Sequence, residues 1–137
     1  MRGVLVDSNV LLDVMTEDPA WYEWSSAALE EYGSTSALCL NPIIYAEVSA
    51  GYARIEDLEA ALPDEMFRRL PLPLEAAFLA GKAFVRYRRR GGARTSTLPD
   101  FFIGAHAAVS GLRLLTRDDR RYRSYFPRVE FVSPEAR

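Results

Sequence analysis

The chain has one cysteine, Cys39, and one histidine, His106, in 137 residues. A single cysteine forms no internal disulfide, and no Cys/His spacing for zinc can be written with it. A lone histidine leaves an imidazole acid–base pair without its second member. His106 sits beside Phe102 and Ser110, off the helix face of Asp100, and reads as a packed structural group. Cys39 falls in an apolar strand pattern and reads as an inert buried thiol. Long apolar runs are also lacking. The longest stretches without charge are broken by Pro42 or Gly104 before they reach the ~20 residues of a membrane helix. The first residues run straight into a strand pattern with an acid at position 7, unlike a signal peptide. A reduced cytoplasm is the expected setting, with no membrane.

At 49% hydrophobic and 26% charged, the composition is that of one globular domain, expected to span residues 1–137 around one core. Strand and helix patterns alternate. "GVLVD", "STSALCL", "FRRLPL", "LRLLT" and "VEFV" read as short strands, the second beginning after Gly33. Between them lie the helical patterns "NVLLDVM", "PAWYEWSSAALEEY", "NPIIYAEVSAGY", "IEDLEAAL", "EAAFLAGKAFVRYRRR" and "LPDFFIGAHAAVSG". Asn41 followed by Pro42 is a strong helix start, and Gly91-Gly92 a stop. The alternation predicts an α/β fold with a short parallel sheet of about four or five strands, covered by helices on both faces. Ligands of such sheets bind beyond the carboxyl ends of the strands.

Four acids fall at strand ends or early in helices. Asp7 ends the first strand, and Asp118 lies two residues past "LRLLT". Asp100 opens a helix directly after Pro99, below a narrow face of Gly104, Ala107 and Ala108 that admits a close neighbour. Glu47 has Ile43, Ile44 and Gly51 as helical neighbours and so falls in an apolar stripe, where an unpaired carboxylate is costly. Singly, Asp7 could cap a helix, Asp100 could complement a helix dipole, and Asp118 or Asp119 could form a turn. Together, four carboxylates from four segments would repel one another unless they hold protons or hard divalent cations such as Mg²⁺ or Mn²⁺. Asp13, six residues past Asp7, is expected on a solvated helix face.

"VLVDSNVLLDV", "NPIIYAEV", "LPDFFIGAHA" and "LLTRDDRRYRSYFP" carry a resemblance that covers essentially the whole chain. The sequence resembles PIN-domain ribonucleases, specifically the VapC-type toxins of bacterial toxin–antitoxin pairs. The resemblance implies a PIN-like three-layer fold. It implies an endoribonuclease that uses Mg²⁺ or Mn²⁺, with Asp7, Glu47, Asp100 and Asp118 as the catalytic acids. Asp7 and Asp100 are the expected direct metal ligands, with Glu47 and Asp118 binding directly or through water. The T-x-D pattern Thr116-Arg117-Asp118 favours Asp118 over Asp119. Ser8, Asn9 and Thr116 match polar positions that support the acids. A cognate antitoxin and a homodimer are implied partners. A catalytically silent binding module of the same fold, or a metal-dependent DNA nuclease or phosphatase, are the alternatives.

Charge is divided unevenly along the chain. Residues 1–66 hold 13 acids and 2 basic residues, whereas 67–137 hold 15 basic residues and 6 acids. Lys82, Arg86, Arg88, Arg89, Arg90 and Arg94 form one basic tract, and Arg117, Arg120, Arg121 and Arg123 a second. Both are candidates for holding an RNA backbone; solvated helix faces are the plainer alternative. Tyr87 and Tyr122 suit base stacking or core packing. Trp21, Tyr22 and Trp24 suit either a core or a partner's anchor site.

Overall fold

The computed structural model describes residues 3–92 and 98–134. In chain order the elements are β1 (Val4–Val6), α1 (Ser8–Met15), α2 (Tyr22–Thr35), β2 (Leu38–Leu40), α3 (Pro42–Ser49), α4 (Ile55–Ala61), β3 (Phe67–Arg69), α5 (Leu74–Arg89), α6 (Leu98–Ser110), β4 (Arg113–Leu115), α7 (Arg120–Tyr125) and β5 (Phe131–Val132). The strands form one sheet in the order β3-β2-β1-β4-β5, and all four pairings are parallel. The sequence-based α/β expectation, a short parallel sheet between helices, is therefore met.

Val4, Leu5 and Val6 are completely buried, as are Leu114 and Leu115 of β4. Alternate residues of a strand face opposite sides, so total burial requires helices on both faces and a three-layer build. Each such aliphatic side chain contributes roughly 1.5–3 kcal/mol by leaving water. The chain leaves β1 toward β2 on one side and later returns to place β4 on the other. The crevice between β1 and β4 is thus the point where strand order reverses, and it opens at the carboxyl ends of both strands.

Two helix boundaries differ from the sequence pattern. α2 runs through Gly33 to Thr35 instead of breaking there. It ends where Ser36 turns extended, with its N–H still donating to the Tyr32 carbonyl at 2.9 Å. The strand that follows is only Leu38–Leu40. At its start, α2 begins after Pro19, because the Asp18 carboxylate first ties a turn, accepting from the N–H groups of Ala20 and Trp21 at 2.9 and 3.0 Å.

The edge strand β3 is protected by its own last residue. Arg69 donates to the carbonyls of Phe67 and Leu62 at 3.0 and 2.7 Å and pairs with Glu59 of α4 at 3.0 Å. Tyr45 donates to the other Glu59 oxygen. A charged group folded over an edge blocks pairing with a stray strand. His106 is 1% exposed, and its Nδ1 lies 3.0 Å from Asn41 Nδ2. Asn41 Oδ1 in turn accepts the Ile44 N–H at 2.9 Å, so the cap of α3 and the middle of α6 are locked together. Burial lowers the imidazole's pKa, so it is neutral at Nδ1 and structural, as its sequence position suggested. Cys39 is buried and its thiol lies 3.6 Å from the Ala37 carbonyl.

Candidate active site

Asp7 follows β1 and still belongs to the sheet: its N–H donates to the Leu115 carbonyl at 2.9 Å. It occupies the N-cap position of α1, yet its side chain caps nothing. The carboxylate instead accepts the Thr116 hydroxyl and the Tyr122 phenol, both at 2.9 Å and both on Oδ2. Thr116 is fixed from two sides. Its N–H donates to the Val132 carbonyl at 3.0 Å, and Asn9 Nδ2 donates to its hydroxyl oxygen at 3.2 Å. With that lone pair taken, the hydroxyl proton is directed at Asp7.

Asp100 stands in the first turn of α6. Tyr122 reaches it as well, with the phenol oxygen 3.3 Å from Asp100 Oδ1, so one hydroxyl bridges Asp7 and Asp100. Gly104 makes this bridge possible. A Cβ there would fall 2.4 Å from the Phe126 ring and 3.1 Å from the Tyr122 ring. The narrow α6 face read from the sequence is where α7 docks, although Ala108 on that face stays exposed.

Asp7, Ser8, Asn9, Asp100, Asp118, Arg120, Arg121 and Tyr122 line one cavity of about 400 Å³ at the β1/β4 crevice. Glu47 is outside that lining. It is half-buried at the margin of the apolar face of α3, which is built on Ile44 and Val48, so the expected position within the stripe is shifted to its edge. Ser8 donates to Glu47 at 2.8 Å and links it to the site. Asp118 is half exposed and held bidentately by Arg120 at 3.0 and 2.9 Å. Asp119 faces away, taken by Arg123 and, at 2.8 Å, by Ser133 after β5.

The electrostatics follow from burial. Asp7, 4% exposed, has its pKa pushed up to about 6, chiefly by desolvation and further by the charges of Asp100 and Glu47. The hydrogen bonds from Thr116 and Tyr122 offset part of that rise. Burial also raises Glu47 and Asp100. Asp118 moves the other way, lowered by its hydrogen bond from Arg120. Burial and the neighbouring carboxylates hold the Tyr122 phenol far above its ordinary pKa, so it remains a donor. Hard, oxygen-only donors that repel one another suit a small divalent cation. Among the described residues, however, no three of His, Cys, Asp and Glu form a ready metal cage. Two of the four acids are instead occupied by arginines: Asp118 by Arg120, and Asp100 by Arg121 at 3.0 Å.

Several expectations need correction. Asp13 is not on a solvated face. It is 2% exposed, accepts from Ser25 at 2.8 Å and pairs with Arg117 at 2.9 Å. Arg117, expected on RNA, is therefore committed to Asp13, with its guanidinium 5.5 Å from the Trp21 ring centre. All four arginines of the second tract pair with acids. In the first tract, Arg86 and Arg90 lie over the Tyr125 ring and Lys82 over Phe78, while Arg88 and Arg89 form no ion pair among the described residues. Arg94 lies outside the described residues. Tyr87 packs against Phe84, Phe101 and Tyr125. Trp21 and Trp24 are half-buried and meet edge to face, whereas Tyr22 is exposed. Tyr122 neither stacks in solvent nor merely fills the core: its hydroxyl belongs to the site. No local spacing signals this, because the partners of the hydroxyl, Asp7 and Asp100, lie on other elements.

Comparison with known proteins gives the family and the fold. The sequence matches the PIN domain family over residues 4–131. No curated protein sequence matches it significantly. Among solved structures it is similar to VapBC2 from Rickettsia felis bound to a promoter DNA fragment, with TM-score 0.74 and 14% identity over 97% of this chain and 99% of that one. DNA-bound VapBC from Salmonella typhimurium gives TM-score 0.70 and 20% identity, covering 97% and 98%. FitAcB from Neisseria gonorrhoeae gives 0.64 and 20%, covering 93% and 95%.

Proposed function

This chain belongs to the PIN-domain family of nucleases, and from that premise we propose that it is a Mg²⁺- or Mn²⁺-dependent endoribonuclease, the toxin of a toxin–antitoxin pair. The observation that carries the reading is the meeting of Asp7, Asp100 and Asp118 in one cavity at the strand-order reversal. Asp7 and Asp100 would hold the cation, with Glu47 and Asp118 binding it directly or through water. When bound, such an ion lowers the pKa of a coordinated water and offsets charge on phosphate oxygens.

The chain's own residues do the positioning. Thr116 and Tyr122 fix the rotamer of Asp7, and Tyr122 holds Asp100 at a set distance from it. Ser8 donates to Glu47 and holds it beside the cavity, where it would align the attacking water. Water adds to phosphorus as the P–O3′ bond breaks, so the products carry 5′-phosphate and 3′-hydroxyl ends. Single-stranded RNA, DNA and a phosphomonoester incubated side by side with Mg²⁺ test the assignment. RNA cleavage with those ends, abolished by EDTA and by Asp100→Asn, is expected. Cleavage that survives both treatments would sink it.

The antitoxin partner rests on the VapBC complexes among the similar structures. A second copy of the chain is the other partner. Leu74, Phe78 and Val85 of α5 are 84%, 68% and 46% exposed, spaced on one face with the unobstructed Gly81 between them. Antiparallel packing of two such helices across Gly81 sets Phe78 against Val85. Phe78→Glu is expected to give a monomer in sedimentation; an unchanged dimer would place the interface elsewhere.

A further inference from the structure

Arg121 stands in an unusual place for a basic residue. Its guanidinium donates to Asp100 Oδ2 at 3.0 Å inside the cavity, and the same group lies 5.7 Å from the Tyr87 ring centre. Its side chain is 44% exposed and that of Asp100 32%. Arg121 is thus neither a free surface arginine nor a buried structural one. It is half-sheltered, backed by an aromatic face, and in contact with one of the two carboxylates that Tyr122 bridges. Arg120, one residue earlier, is different: at 87% exposed it closes a local loop onto Asp118 two residues away, the kind of pair that contributes little.

A cation and a guanidinium cannot both take full advantage of the same carboxylate oxygen. We propose that Arg121 is an exchangeable counter-ion: it occupies Asp100 when no divalent ion is bound, gives that carboxylate up to the ion, and then binds a phosphate of the nucleic acid. The inference rests on the reading of the acid cluster as a divalent-cation site. It fits the lack of a ready cage among the described residues, since one Asp100 oxygen is already taken by Arg121. Tyr87 gives the guanidinium a fixed stacking face, so release from Asp100 requires only a turn of the long side chain. The Arg fork suits phosphate as well as carboxylate. Arg121 therefore couples the two ligands: metal binding frees a phosphate donor, and phosphate binding withdraws a competitor from the metal.

Titration of Mn²⁺ alone into the whole protein, followed by calorimetry, reads the competition without any turnover. Arg121→Gln should bind Mn²⁺ more tightly, by about fivefold or more. Arg121→Lys should return toward the wild-type affinity because it keeps the charge. Arg123→Gln, which breaks the pair with Asp119 outside the cavity, should leave it unchanged. Binding of a single-stranded RNA oligonucleotide in EDTA should be the same in Arg121→Gln and wild type, since the arginine is then engaged on Asp100. With Mn²⁺ present, KM for that RNA should rise several-fold in the variant. If Arg121→Gln left Mn²⁺ affinity unchanged or weakened it while Asp100→Asn abolished binding, the counter-ion role would be overturned and the metal site would stand. If Asp100→Asn bound Mn²⁺ as well as wild type, both would fall together.

Discussion

At the scale of single residues, the site carries its charge at a cost to stability. Asp7 ordinarily titrates near 3.8 and here near 6, so between those values the folded chain keeps a proton that the unfolded chain has lost. Stability therefore falls as pH rises through that window, and the deficit is complete above it, at about 3 kcal/mol for this one group. Glu47 and Asp100, also raised, add in the same direction. Without metal, Asp7→Asn should melt higher than wild type at pH 7.5 and close to it at pH 4, in thermal denaturation in EDTA. A lower melting point for the variant at pH 7.5 would contradict the assignment. Asp13 gives the opposite case. Asp13→Ala leaves Arg117 and Ser25 without their acceptor, and with Arg117 still about a third exposed to water the loss should be about 2–3 kcal/mol in denaturant unfolding. A neutral result would mean that water replaces the carboxylate fully. The meeting of Asp7, Asp100 and Asp118 was legible because they stand at or just past a strand end or at a helix start, positions that topology gathers, whereas Glu47, late in α3, was marked only by its apolar neighbours. Asp13 and Tyr122 were not, since their roles depend on Arg117, Asp7 and Asp100, all distant in sequence, and no local period reports a partner on another element.

At the scale of elements, the parallel α/β plan followed from alternating patterns and from Asn41-Pro42 and Gly91-Gly92, whose signals are local, whereas the strand order and the short helix α7 came only with the structure. Gly91 does adopt a left-handed φ of 87° at the end of α5. The boundary of α2 was misread because glycine stops a helix only where the chain needs to turn, and here the turn waits for Ser36. The α6–α7 contact shows how much one small residue decides. Gly104→Ala would drive its Cβ into Phe126 and push α7 outward. Since α7 carries Tyr122 and Arg121, the bridge between Asp7 and Asp100 should open with it. The expected result is a destabilisation of about 1–3 kcal/mol together with a fall in kcat well beyond what the lost folded fraction explains. Full activity per folded molecule, measured against a denaturation curve, would show that α7 can shift without disturbing the acids.

At the scale of the whole molecule, the acidic first half and basic second half meet at the cavity. Asp7 comes from the first half, with Glu47 tied to it through Ser8, while Asp100, Asp118, Arg120 and Arg121 come from the second. Arg117, Arg120 and Arg123 of the second tract pair with acids outside the cavity or within their own turn, so Arg121 alone of that tract is left as a candidate phosphate contact. What remains is the end of α5, joined to the cavity through α7: Arg86 and Arg90 lie on Tyr125, and Arg121 of the same helix lies on Tyr87. A strand leaving the cavity along α7 would meet Arg88 and Arg89, which stay exposed. Consecutive residues of a helix point about 100° apart, so these two would contact different phosphates. Replacing both with Gln should weaken RNA binding for all sequences alike and reduce the salt slope by roughly 0.7 per lost contact. KM should rise while kcat at saturating RNA holds, because uniform binding is lost and no transition-state contact is touched. A collapse of kcat with binding intact would place one of these arginines at the reacting phosphate. An unchanged salt slope would make the end of α5 a solvated helix terminus whose arginines only complement its dipole.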